Sequence, residues 1–276
     1  MRRPIALGLI LLAVVASAAA AAPAPRPLTM ATTTSVNDTG LLDFLLPDFE
    51  RRTGIAVKVV AVGTGQALEV ARRGDADLVL VHAPDLERQF MGQGHSAGHW
   101  RLMYNHFVIV GPAKDPAQAA SAPTAAQAMK RIADAKALFV SRGDKSGTHD
   151  RELSIWRAAG IEPRGDWYLE AGSGMGATLR IADEKDAYVL SDNGTYLAQR
   201  SKLRLVVLYD KGNELLNPYS LMAVSPRAHP SVNYQGAMRL IHYFLAPETM
   251  KRIASFGADR FGQSLFRLYE RPHQPG

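Results

Sequence analysis

Apolar residues along this chain fall into two alternating rhythms: short runs of β-branched or large residues, and stretches with an apolar position every three to four residues. The runs predict strands at Leu28–Ala31, Ile55–Val62, Asp77–Val81, Leu102–Val110, Ala137–Val140, Trp167–Glu170, Tyr188–Leu190 and Leu203–Tyr209. The periodic stretches predict helices at Gly40–Arg52, Gln66–Arg73, Thr124–Ala135, Thr148–Ala159, Gly176–Glu184 and Gly194–Ser201, with a mainly helical tail from Val232 to Phe256. In the first helix Leu41, Leu42, Leu45, Leu46 and Phe49 form one apolar stripe, and Gly160 closes the Thr148–Ala159 helix at its C′ position. Strands alternating with helices predict an α/β fold with parallel sheets. In such sheets ligands bind beyond the carboxyl ends of the strands, so the strand-to-helix turns are the places to search.

Composition narrows the class. The chain has 276 residues, nearly two domains at ~150 residues each. With 47% hydrophobic and 21% charged residues it is an ordinary globular chain, which excludes disorder and fibrous repeats. Residues 1–22 read as a secretory signal: Arg2 and Arg3 precede an apolar run, Ile5–Val15, too short to span a bilayer. Ala16-Ser17-Ala18 and Ala20-Ala21-Ala22 both offer small-residue cleavage sites, and a short membrane anchor is the rival reading. Removing the two arginines lowers the formal charge from +6 to +4, too mild a basicity to imply a nucleic-acid partner. The absence of cysteine excludes disulfides, thiolate metal sites, a cysteine nucleophile and a lipid-attachment cysteine. A soluble extracytoplasmic protein follows, most simply in a Gram-negative periplasm, and no cofactor is implied.

Three predicted turns concentrate hydroxyls and glycine, and each opens a helix. The first is Thr32-Thr33-Thr34-Ser35 with Asn37-Asp38-Thr39-Gly40, the second Gly63-Thr64-Gly65, and the third Ser141-Arg142-Gly143-Asp144-Lys145-Ser146-Gly147-Thr148. A helix N-terminus leaves backbone N–H groups unpaired and carries partial positive charge. Glycine allows close backbone approach, and hydroxyls add donors. Any one turn is adequately explained as a helix cap. A four-residue Thr/Ser run exceeds what a cap needs, however, and the third turn adds an arginine whose planar fork suits an oxyanion. Together they point to an oxyanion site. Asp144 leaves two readings open: it accepts a proton from a ligand such as hydrogen phosphate, or it orients Arg142 toward a fully deprotonated dianion.

Other features carry less. Gly172-Ser173-Gly174-Met175-Gly176 invites a dinucleotide reading, but it sits mid-chain without clean spacing to a ribose-binding acid. His95 and His99, flanked by Gly94 and Gly98, are expected in a solvent-facing loop. His149 and Asp150 beside Ser146 raise a hydrolase possibility, but no Gly-x-Ser-x-Gly elbow is present. Trp100, Trp156 and Trp167 are expected in packing, and Arg51, Arg52, Arg72 and Arg73 on a solvated face.

The third turn resembles the phosphate loop of phosphate-binding periplasmic proteins, and the whole mature chain is similar to their relatives, the tungstate-binding receptors of ABC importers. The resemblance rests on the Thr32–Ser35 run with Asp38-Thr39-Gly40-Leu41-Leu42, on Gly63-Thr64-Gly65-Gln66-Ala67 and on Ser141–His149. It continues through Gly174-Met175-Gly176, Ser191–Leu197 and Asn217-Pro218-Tyr219. Asn193 stands where the family would carry arginine and Ser220 where it would carry glycine. The resemblance implies a two-lobed type II periplasmic binding fold with a hinge and an interlobe anion site. Lobe I would take 28–108 plus 222–276 and lobe II 109–221, with crossovers near Gly111-Pro112 and Asn217–Ala223. Thr33, Thr34, Ser35 and Thr64 would face Arg142, Ser146, Gly147 and Thr148 across an anion, tungstate or molybdate, with phosphate or sulfate as alternatives. An ABC permease would be the partner, reading lobe closure, and the surface arginines could serve its docking. A monomer that performs no chemistry is the natural expectation.

Overall fold

The computed structural model describes residues 25–269; the expected signal, residues 1–22, lies outside them. From the first described residues the chain runs β1 (Leu28–Thr33), α1 (Thr34–Asp38), α2 (Leu41–Thr53), β2 (Val57–Val62), α3 (Thr64–Arg72), β3 (Leu78–Val81), α4 (Pro84–Gly92) and β4 (Ser96–Gly111). It continues through α5 (Ala125–Asp134), β5 (Phe139–Ser141), α6 (Gly147–Ala158), β6 (Tyr168–Glu170), α7 (Met175–Glu184), β7 (Val189–Asp192), α8 (Asn193–Gln199) and β8 (Val206–Tyr209). The last elements are β9 (Leu216–Val224), α9 (Tyr234–Leu245), α10 (Pro247–Ser255), α11 (Ala258–Phe261) and β10 (Arg267–Leu268). No described helix is long and apolar enough to cross a membrane.

The expected α/β class is observed, with a more mixed sheet than alternation alone predicts. β1 pairs in parallel with β2 and β3, and β5 with β6, which are the βαβ units of the periodic pattern. Two long strands break the rule. β9 runs antiparallel between β3 and β4, and β4 pairs with β9 and β10 along its first part but with β7 and β8 near its end. β4 thus joins β9 and β10 to β7 and β8.

Both were only partly visible in the sequence. β4 begins at Ser96 rather than Leu102, so His99 is in the strand, while His95 stays in the loop before it. Gly98 is needed there: the Trp100 indole folds over it, and an added Cβ would lie 2.3 Å from the ring. His99 lies on this strand with its Nε2 3.0 Å from Glu87 Oε2, while His95 stacks on His229. The segment Asn217–Ala223, read as a crossover, lies inside β9. Pro218 argues against a central strand, but β3 pairs β9 only over Ser220–Ala223, so the proline sits beyond the end of that neighbour.

Burial follows the stripes. Leu41, Leu42, Leu45, Leu46 and Phe49 are buried against Leu28, Met30, Leu240 and Phe244 in one core cluster. A second gathers Phe139, Ile155 and Trp156 with Met129 and Ile132 of α5. Trp156 is fully buried there, edge-on to Phe139 and Trp167, as expected of a packing tryptophan.

Candidate anion-binding site

The three hydroxyl-rich turns leave β1, β2 and β5 at their carboxyl ends, and each leads into a helix. Thr33 caps α1, its Oγ1 accepting the Val36 N–H at 3.3 Å and lying 3.0 Å from Ser35 Oγ. Thr34 is half-buried, whereas Thr33 and Ser35 are buried. The second turn places Thr64 as the first residue of α3, after Gly63, which has no side chain to cap the helix. The first-turn N–H groups of α3 therefore lack a side-chain partner. Thr64 is fully buried and its Oγ1 has no hydrogen-bond partner.

The third turn is held in shape by its own acid. Arg142 gives Nη2 to Asp144 Oδ2, and Asp144 Oδ1 accepts the Ser146 N–H at 3.1 Å. Both carboxylate oxygens are thus occupied within the turn, as the orienting reading of Asp144 requires. Gly143 and Lys145 take left-handed conformations, φ 61° and 56°. For lysine this costs on the order of 1 kcal/mol, a cost tolerated where surroundings fix the turn. Ser146 caps α6, its Oγ accepting from the His149 backbone at 3.3 Å, and Thr148 Oγ1 accepts from Arg142 Nη1 at 3.5 Å. In both, the hydroxyl hydrogen stays free to donate. Arg142 is only 3% exposed and its Nε has no partner.

The chain folds these turns onto one junction. An added Cβ at Gly147 would lie 3.1 Å from His82 Cε1 and 3.2 Å from Thr64 Oγ1, so α6 meets α3 at that glycine. His82 Nε2 in turn lies 3.1 Å from Ser35 Oγ, which brings the first turn to the same place. Of the eight residues singled out from sequence, Thr64 and Gly147 meet directly, and Ser35 reaches them through His82. Thr33 joins through Ser35, and Arg142, Ser146 and Thr148 through the third turn. None of these contacts brings in Thr34, which is half-buried. Two helix N-termini, a buried guanidinium and two unpartnered buried polar atoms then converge, an arrangement suited to a small polyoxygen anion.

His82 and Asn105 were passed over in the sequence, and Asn217 and Tyr219 entered only through the resemblance, without a role; the four form a buried polar floor. His82 follows β3 directly, a carboxyl-end position of the kind the crevice rule selects, but that turn has neither hydroxyl nor glycine. Burial, with Arg142 and Arg151 nearby, pushes the His82 ring down to about 4, so it is neutral near pH 7. Burial also pushes Glu152, behind the third turn, up to about 7, although Tyr168 and Trp156 donate to it.

Several rival readings lose their footing. His149 Nδ1 accepts the Lys145 N–H at 3.0 Å and so serves the turn rather than a nucleophile. In the Gly172–Gly176 turn the Ser173 hydroxyl bonds to Ala171 O, and the Ala171 N–H bonds to Ser141 O, which ties that turn to the third one. No cluster of three or more metal-ligating side chains exists among the described residues. Two open cavities, of about 590 and 490 Å³, lie elsewhere, the larger lined by His106, Asn193, Arg200 and Arg267.

Helix N-termini that follow β1, β2 and β5 and meet beside a buried arginine fit a solute-binding protein of the α/β type. The PBP superfamily domain matches residues 17–248. The tungstate-binding protein TupA of Peptoclostridium acidaminophilum is 43% identical over 239 residues, 86% of this chain and 84% of that protein. Among solved structures, the tungstate ABC transporter from Geobacter sulfurreducens is 51% identical with a TM-score of 0.76, over 83% of this chain and 98% of that one. The tungstate-binding protein TupA from Desulfovibrio alaskensis G20 is 40% identical with a TM-score of 0.76, over 91% and 100%. This chain belongs to the PBP superfamily and, within it, to the family of these tungstate-binding proteins. Its relatives carry the names of binding and transport proteins, not of enzymes.

Proposed function

We propose that this protein is an extracytoplasmic receptor that captures a tetrahedral oxyanion dianion, tungstate or molybdate, and delivers it to an ABC permease without chemistry. The observation that carries the reading is the meeting of Thr64 and Gly147 beside the buried Arg142, where Thr64 Oγ1 and Arg142 Nε stand without partners. A buried polar atom without a partner costs ~1–3 kcal/mol, and an oxyanion acceptor relieves that cost. The site would comprise Thr33, Thr34, Ser35 and Thr64 from one lobe, 28–108 plus 222–276, and Arg142, Ser146, Gly147 and Thr148 from the other, 109–221. Closure of the two lobes around the anion would be what the permease reads. The names of the relatives supply the anion, tungstate.

Asp144 supports a dianion. One bond on each oxygen, to Arg142 and to the Ser146 N–H, fits a carboxylate that orients the guanidinium, the role a fully deprotonated ligand needs. Six or seven hydrogen bonds to the anion, at about 1.5–3 kcal/mol each, suffice for nanomolar affinity, about −12 kcal/mol, after the cost of association. Export would remove residues 1–22, and the mature chain would act as a monomer.

The test is calorimetry of the mature protein against tungstate, molybdate, sulfate and phosphate in oxyanion-free buffer. Tight one-to-one binding of tungstate or molybdate, with phosphate silent, is the expected result. Tight phosphate binding would overturn the anion, and silence toward all four with turnover of a chromogenic phosphate ester would overturn the receptor.

A further inference from the structure

Behind the first turn runs a buried chain of polar side chains that no direct contact with the anion requires. His82 is 3% exposed; its Nδ1 lies 2.9 Å from Asn217 Oδ1 and its Nε2 3.1 Å from Ser35 Oγ. Asn217 Nδ2 bonds to Asn105 Oδ1 at 2.8 Å and to the Tyr219 hydroxyl at 2.9 Å. Asn105 and Asn217 are register partners on the long strands β4 and β9. The imidazole also lies against the Tyr219 ring, 4.8 Å between centroids.

The orientation of the Asn217 amide sets the hydrogens along this chain. The ring is neutral and carries one N–H. With the Asn217 amide nitrogen giving to Asn105 and Tyr219, its oxygen faces His82 and Nδ1 carries the hydrogen, an orientation that leaves Asn105 Nδ2 without a partner. Nε2 is then a lone pair, and the Ser35 hydroxyl donates to it. Ser35 Oγ is left as an acceptor for Thr33, whose own oxygen already holds the Val36 N–H.

We propose that His82 is a positioning residue for the oxyanion site: it holds the Ser35–Thr33 hydroxyl pair from behind and ties it to the paired Asn105 and Asn217 of the crossing strands. The proposal divides labour within the first turn. Ser35 and Thr33 set its shape with their hydrogens turned inward, and Thr34 and Thr64 are the hydroxyls that donate to the anion on that side. Its effect on affinity rests on the receptor reading above; its proton arrangement does not.

The experiment combines nitrogen NMR of the mature protein labelled with ¹⁵N-histidine and calorimetry with tungstate. The spectrum of the wild type, with His82→Gln to assign the signal, is expected to show His82 as the neutral Nδ1–H tautomer at pH 7, with and without tungstate. His82→Leu and Ser35→Ala are each expected to weaken tungstate binding about tenfold, the scale of one hydrogen bond, and the double variant no further. His82→Gln, which keeps a polar atom near the Nε2 position, is expected to recover part of the loss. An Nε2–H tautomer or a charged ring at pH 7 overturns the assignment. Tight wild-type binding with fully additive losses overturns the positioning role alone, whereas silence of the wild type toward every oxyanion overturns the receptor reading and the role together.

Discussion

The turn Thr33–Ser35 and the turn Ser141–Thr148 face the same junction, but their polar groups are satisfied differently. In the first, every hydroxyl that the strands bury has an internal partner: Thr33 with Val36 and Ser35, Ser35 with His82, and His82 with Asn217. In the third, the acid consumes one edge of Arg142 and the helix cap consumes one lone pair of Ser146, while Arg142 Nε stays unpaired. The first side is a preset wall tied to the long strands. The third carries the charge and the unmet hydrogen-bonding capacity, so it should dominate affinity, and the wall should dominate geometry. Preorganised donors of this kind lower the ordering cost of binding.

Removing the charge breaks the comparison most severely. Arg142→Ala should weaken tungstate binding by at least ~100-fold, because a paired guanidinium contact is worth roughly 3–6 kcal/mol to an anion. Circular dichroism and the melting profile should stay close to wild type; unchanged affinity would remove Arg142 from the site. Crowding the junction comes next. Gly147→Val would drive a side chain into His82 and Thr64, already 3.1–3.2 Å from an added Cβ. It should weaken binding roughly tenfold to 100-fold by misplacing the α6 N-terminus, as read by tungstate calorimetry. Gly147→Ala should lose less.

A further effect concerns stability rather than affinity, and it separates the two sides by sign. Glu152, behind the third turn, has its pKa raised from 4.5 to about 7. The folded state therefore holds a proton that the unfolded state has released, and stability falls as pH rises through that window. His82, behind the first turn, is lowered from 6.5 to about 4, so stability falls as pH drops through its window. Each contribution is on the order of 3 kcal/mol, and between pH 4.5 and 6.5 they oppose. Urea unfolding of Glu152→Gln should show a stability that rises with pH more steeply than wild type there. His82→Gln should show one that falls with pH relative to wild type. Parallel pH curves for the three proteins would contradict this assignment.

What the sequence made legible follows from range of interaction. The apolar stripe of α2 and the run Ile55–Val62 declare themselves within one element, because the period of side-chain direction is local. The three turns were legible for the same reason: hydroxyls and glycines clustered next to a helix start. The structure extends the first strand to Thr33, bringing the hydroxyl run into β1 itself. The long strands were obscured where glycine and proline interrupt them, at Gly98 and Pro218, since their tolerance depends on a folded indole and on where β3 ends. The helix Pro84–Gly92 was passed over despite the proline at its start. The floor of the site was invisible because its partners are remote: His82 and Asn217 are 135 residues apart, and Asn105 and Asn217 are 112 apart. Only the register of β4 on β9 brings the two asparagines together, and nothing local announces it.

The account's central claim is that the anion sits where α3, α6 and Arg142 meet. Tungsten scatters anomalously, so crystals of the mature protein grown with tungstate test that claim directly. The prediction is one strong anomalous peak within hydrogen-bond reach of Thr64, Arg142 and the Gly147 N–H, with oxygens on Thr34 and Thr148. A peak instead in the cavity beside His106, Arg200 and Arg267, or none in crystals soaked to saturation, would contradict it.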